Sequence, residues 1–178
     1  MGARNILAIG AHADDIEMSM GGATLKYHER FGYAVRYVMT TNNMSGGWAE
    51  RDGKGGIRQR RVSWREEMPQ RKLEADTAAR ELFQTGVLHL DYPQRHYKDE
   101  NDRTLEVRYG SARPECVPED VPTILTACED KAAVEQMTQL ILESDPEVVI
   151  TLSLSDANLE HGATFLLVWR AFQKARQK

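Results

Sequence analysis

Four short apolar runs, each followed by a polar loop, constrain the fold of this chain more than any other feature. NILAIG (5–10) ends at a glycine, and AVRYVMTT (34–41) alternates and is rich in β-branched residues. VLHL (87–90) stops at Asp91-Tyr92-Pro93, and EVVITL (147–152) is apolar almost throughout. Runs of this length and composition read as strands. Between them, helical spacing predicts a helix over 19–31, with Ser19 as its cap and Gly32 as its stop. Further helices are predicted over 71–83, 130–144 and 162–176. Strands alternating with helices imply an α/β fold, here a Rossmann-like three-layer α/β/α arrangement around a mostly parallel sheet. The stretch 42–70 carries five glycines and reads as a long loop with at most a short helix, while 93–129 is Pro-rich and aperiodic.

At 178 residues the chain is expected to form one domain over 1–178. A domain of that size buries about 70% of its unfolded surface and needs no staple. Its 23 basic and 27 acidic side chains leave a net charge of −4, which argues against a general nucleic-acid partner. The first strand begins by Asn5, leaving no room for a signal peptide, and no apolar run reaches the roughly 20 residues of a membrane span. Cys116 and Cys128 lack CxxC spacing, so a zinc knuckle or disulfide framework is not expected. A cytoplasmic protein is the expectation.

In a parallel sheet, ligands collect at the carboxyl ends of the strands. The loops there would be AHADDIEMSMGG, TTNNMSGG, DYPQR and SLSDANLEH, all on one rim. The first places His12, Asp14, Asp15 and Glu17 within six residues. Carboxylates that close repel unless a cation, a proton or water relieves them. A backbone anion cradle would repel its own ligand, and there is no GxGxxG pattern or Walker lysine. A phosphotransfer pocket could recruit Asp91, but the interval from Asp15 is long. A solvated helix start explains two aspartates by charge preference alone. A metal site explains the histidine as well: His12 and Asp15 sit three apart at a strand-to-helix turn, and His161 stands in the last rim loop as a third donor.

These segments carry a resemblance. AHADDIEMSMGGATL looks like the AHPDDE…GGT(L/I) signature of the LmbE/PIG-L family of zinc-dependent N-acetylglucosaminide deacetylases. DANLEH (156–161) is similar to its D-x-H-P-D-H motif, TTNNMSGG to its T-N-G-x-x-G loop, and RKLEADTAARELF to its R-x-x-E helix. The resemblance runs from about Asn5 to Ala171. It implies Zn2+, or another divalent ion, held by His12, Asp15 and His161, with Asp14 as general base. Arg71 and Asn43 are expected against substrate, and Glu17, Asp156 and Glu160 around the ligands rather than on the ion.

The chain departs from the pattern in three places. Ala13 replaces a proline, and Glu160 an aspartate. Asn158 stands where the family has a histidine that stabilises the oxyanion, and so inherits that catalytic role as an expectation. The chain also ends before the strands with which relatives usually continue. The implied activity is removal of an acetyl group from an N-acetylglucosamine-type substrate by metal-activated water. The implied partner is a small-molecule amino-sugar conjugate, with homo-oligomers left open. The alternative is a catalytically weakened sugar- or metal-binding relative. His28, His89 and His96 read as structural, with His96 nearest the pocket. The Trp48, Trp64 and arginine-rich stretch reads as a solvated loop, with a substrate lid as its alternative.

Overall fold

In the computed structural model, residues 4–44, 48–60, 64–98, 103–106 and 122–178 are described. Strand β1 (Asn5–Gly10) is buried from Ile6 onward, as a strand covered on both faces must be. It pairs in parallel with β2 (Ala34–Thr41), Ile9 lying opposite Val38. Outside β2 lies β5 (Val87–Tyr92), also parallel. On the other side of β1 lies β8 (Val148–Thr151), with Leu7 opposite Val149. The sheet order is therefore β5-β2-β1-β8. This is the parallel α/β sheet read from the sequence.

The two faces of the sheet carry separate cores, divided by the period of two along each strand. Leu7, Ile9 and Val38 pack with Met137, Leu140 and Ile141 of α4 (Lys131–Ser144) and with Leu167, Val168 and Ala171 of α5 (Leu159–Ala175). Ile6, Ala8, Tyr37 and Met39 pack on the opposite side with Ile16, Met20, Ala75, Ala79 and Phe83. The last three belong to α2 (Trp64–Phe83). Truncating a fully buried side chain such as Ile9 to alanine is expected to cost about 2–5 kcal/mol.

Three boundaries differ from the sequence expectation. Helix α1 starts at Ile16, and its turns Ile16–Met20, Gly21–Leu25 and Lys26–Arg30 follow one another, wider than α-helical in the first and last. Ser19 thus lies inside the helix and does not cap it. Gly32 does stop it, at φ 71°, a left-handed conformation that favours glycine. Second, the expected loop over 42–70 contains an antiparallel hairpin of β3 (Trp48–Arg51) and β4 (Ile57–Arg60). The Asp52 carboxylate closes its turn by accepting from the Lys54 and Gly56 amides. Third, α2 begins at Trp64 rather than Arg71 and carries Pro69 in its second turn, where the ring has no helical N–H to offer the Arg65 carbonyl. A second short hairpin joins β6 (His96–Lys98) to β7 (Thr104–Glu106), and α3 (Ile124–Ala127) precedes α4. The side chains of Trp48, Trp64 and His96 lie outside the described residues. Among those described, no helix is long and apolar enough to cross a membrane.

Candidate metal centre

The loops after β1, β2, β5 and β8 open into one cleft of about 720 Å³. The β1 and β2 loops are locked together first. Thr41 donates its hydroxyl to the Ala11 carbonyl at 2.6 Å, and the Thr41 amide donates to the same oxygen. Asn43 adopts a left-handed conformation (φ 54°) and accepts from the Ala13 amide at 2.9 Å. Its Nδ2 points to the Met39 sulfur and the Thr41 carbonyl. Asn43 lines the cleft but is 4% exposed, with both ends of its amide engaged by the protein. These bonds tie Asn43 to the β1 loop and to β2 at the wall of the cleft.

That loop presents Asp15 in one pose. Its Oδ2 accepts from the Ala11 and His12 amides, both at 2.7 Å. Its Oδ1 is left facing the cleft, 3.0 Å from His161 Nε2. His12 Nδ1 lies 3.3 Å from the same His161 nitrogen and 3.5 Å from Asp15 Oδ2. One donor atom from each of the three residues thus falls within 4.8 Å of the others. The far side of each imidazole is held by a carboxylate. His12 Nε2 meets Glu160 Oε2 at 2.5 Å, and His161 Nδ1 meets Asp156 Oδ2 at 2.9 Å. Each ring therefore turns one nitrogen outward to a carboxylate and the other inward to a common point, the arrangement that orients histidine ligands of a metal. Two imidazole nitrogens and one carboxylate oxygen fit a divalent ion with an open coordination position.

The charges agree with this geometry. Burial alone would lower the His12 pKa, but hydrogen bonds and charge from Asp15 and Glu160 outweigh it and raise the pKa to about 9. For Asp15 and Glu160, burial pushes upward, and their contacts with His12 bring both below the usual range. Asp156 is lowered by the Asn158 amide and by His161. Glu17, by contrast, is raised by burial; it accepts from the Tyr37 hydroxyl and braces α1 against β2. The site is strongly polarised, with every carboxylate around the two histidines already in use.

Asp14 is the exception. It is exposed at the mouth of the cleft, and among the described residues its carboxylate meets no partner. Asn158 caps α5, its Oδ1 accepting from the Glu160 amide at 3.0 Å, so only Nδ2 is left to donate into the cleft. Arg71 reaches the cleft from α2, loosely paired with Glu67 at 3.9 Å and Glu74 at 3.7 Å. Sequence reasoning placed the DYPQR loop on the rim but selected no residue from it. Gln94 and Arg95 nevertheless line the cleft, and the Arg95 amide donates to Glu160 Oε1 at 2.5 Å. Of the other histidines, His28 bonds the Tyr33 carbonyl, and neither ring nitrogen of His89 has a hydrogen-bond partner among the described residues.

Residues 7–172 match the family described as PIG-L: GlcNAc-PI de-N-acetylase. The chain belongs to the PIG-L family. Among solved structures, the PIG-L chain is similar to 4-carboxy-2-hydroxymuconate hydratase GalB from Pseudomonas putida KT2440, with TM-score 0.61 and 22% identity over 94% of this chain and 55% of that one. It is also similar to N,N'-diacetylchitobiose deacetylase from Pyrococcus horikoshii, with TM-score 0.65 and 18% identity over 96% and 50%. A deacetylase of the teicoplanin biosynthesis pathway gives TM-score 0.61 and 17% identity over 96% and 66%. No curated protein matches the sequence. The PIG-L chain spans half to two thirds of the length of these solved relatives. At such identities the likeness concerns the fold, and that fold carries a hydratase as well as deacetylases.

Proposed function

We propose that this protein is a zinc-dependent N-deacetylase that removes an acetyl group from an N-acetylglucosamine-type conjugate. Membership of the PIG-L family supports the class of reaction. The observation that carries the proposal is the convergence of His12, Asp15 and His161 beside Asp14, whose carboxylate is unpaired among the described residues. A divalent ion held there would polarise an acyl oxygen and make water a competent nucleophile at neutral pH. Zinc is the choice favoured by two imidazoles and one carboxylate.

The chain's own residues divide the remaining work. Asp14, exposed and uncommitted, accepts the proton of the attacking water on a carboxylate oxygen and returns it to the departing amine nitrogen. Asn158 Nδ2 donates to the acyl oxygen as charge builds on it. Arg71, which reaches the cleft from α2, contacts the body of the substrate. Glu160 and Asp156 engage the outer nitrogens of the two imidazoles and so orient the inner ones toward the ion. A cytoplasmic setting and a small-molecule amino-sugar partner complete the reading and rest on composition and the polar cleft.

One observation favours a second reading, a weakened sugar- or metal-binding relative. The Asn158 side chain is half committed to capping α5, so it offers a single neutral donor. Acetate release from a panel of N-acetylglucosamine conjugates, by zinc-loaded and chelator-treated protein, tests the proposal. Release that chelator abolishes and zinc restores is expected. Binding of the panel without release would favour the second reading.

A further inference from the structure

The charged groups lining the cleft can be matched against their partners almost completely. Asp15 and Glu160 are satisfied by amides and His12, and Asp156 by His161 and the Asn158 amide. Arg71 shares Glu67 and Glu74. Two charged side chains are left over among the described residues: the carboxylate of Asp14, which the proposed chemistry uses, and the guanidinium of Arg95, which it does not. Arg95 is exposed at the rim, and its side chain forms no ion pair or hydrogen bond among the described residues.

Its root on the backbone is nonetheless fixed. The Arg95 amide donates to Glu160 Oε1, while Glu160 Oε2 meets His12. One carboxylate therefore sets both a metal-facing histidine and the root of this arginine. The preceding residue, Gln94, is 1% exposed and anchors the same turn against Glu160 at 3.4 Å. A guanidinium on a pinned backbone, at the edge of an open cleft that Arg95 lines, presents a planar fork of donors suited to a carboxylate or phosphate. A cleft of about 720 Å³ has room for a sugar and a charged substituent together.

We infer that Arg95 is a specificity residue that recognises an anionic substituent, phosphate or carboxylate, on the substrate. The inference rests on the deacetylase reading for its kinetic test and on binding alone for its direct one. Because only the backbone of residue 95 holds Glu160, Arg95→Ala and Arg95→Glu keep the Glu160 contact intact. The effect is therefore expected in recognition of the charged group and not in metal content.

The test compares three probes on the zinc-loaded full chain: methyl N-acetyl-glucosaminide, N-acetylglucosamine 1-phosphate and N-acetylmuramic acid. The wild type is expected to favour at least one charged probe in kcat/KM, mainly through KM, by about tenfold to a hundredfold, as charge-assisted hydrogen bonds allow. Arg95→Ala should erase that preference, Arg95→Glu invert it, and Arg95→Lys restore part of it. Which charged probe responds separates phosphate from carboxylate. Glucosamine 1-phosphate and muramic acid, the corresponding amines, are titrated calorimetrically as a readout that needs no turnover. Cleavage of the probes with a preference that ignores residue 95 overturns this inference and leaves the deacetylase reading intact. Arg95-dependent binding without cleavage does the reverse. Binding and turnover both indifferent to residue 95 also overturn it.

Discussion

His12 and Glu160 come from opposite ends of the chain, yet His12 Nε2 meets Glu160 Oε2 at 2.5 Å. That contact joins the loop after β1 to the first turn of α5 and fixes which ring nitrogen of His12 faces the cleft. Glu160→Gln should keep the fold and leave His12 without its carboxylate. Loss of such an orienting partner commonly costs 10- to 100-fold in metal affinity. Zinc affinity by competition with a chromophoric chelator is the measurement.

Replacing both His12 and His161 with alanine should abolish stoichiometric zinc, because two of three donors are gone. Elemental analysis of purified protein reads this directly. Wild-type zinc in the double variant would place the ion elsewhere.

The two adjacent aspartates should separate. Asp14→Asn is expected to retain metal and lose about 10²–10⁴-fold in turnover, the usual scale for a general base. Asp15→Asn should weaken metal binding itself, since Oδ1 faces the site while Oδ2 holds the Ala11 and His12 amides. Metal content and acetate release, measured on both variants, tell these roles apart.

The pKa of His12, raised to about 9, gives a pH dependence with a definite sign. In the metal-free protein the extra proton sits on Nδ1, the nitrogen that a metal needs. Zinc uptake should therefore release a proton and strengthen with rising pH, by about tenfold per unit below pH 9 as far as His12 alone is concerned. Folding stability without metal runs the other way. The raised pKa stabilises fully below the unfolded value near 6.5, and this contribution is lost as pH rises through about 9. Thermal melts of chelated protein across that window should show the decline.

Asn158→His should raise kcat on an N-acetyl sugar, because a protonated imidazole is a stronger donor to a developing oxyanion than an amide. The same substitution removes the cap of α5, a loss of about 1 kcal/mol. A faster but less stable enzyme is expected, from steady-state kinetics and denaturant melts of folded, zinc-loaded protein. Unchanged or lower kcat would refute the oxyanion role.

The centre of the sheet was legible because β1 and β2 are buried and therefore read as apolar runs, and both fall on the expected residues. The hairpin of β3 and β4 was not, since WAER and IRQR stand apart from the main sheet and show no apolar run. The start of α2 was hidden by Pro69, which reads as a helix boundary but here sits within the first turns. In the site, the meeting of His12, Asp15 and His161 was legible because loops at the carboxyl ends of parallel strands share one rim and because the motifs resemble those of a known family. The tying of Asn43 to the β1 loop and the presence of Gln94 and Arg95 were not, because they depend on left-handed backbone at Asn43 and on an aperiodic loop that no spacing rule describes.

The separation of the donors along the chain has a consequence for biosynthesis. His12 and Asp15 leave the ribosome early, whereas His161 and Glu160 emerge only after all four strands of the main sheet have been made. A nascent chain can hold an ion only weakly until α5 docks on β1. On the proposed reading, metal capture is a late event that reports completed assembly, and the supply of the ion acts on the finished protein rather than on the course of its folding.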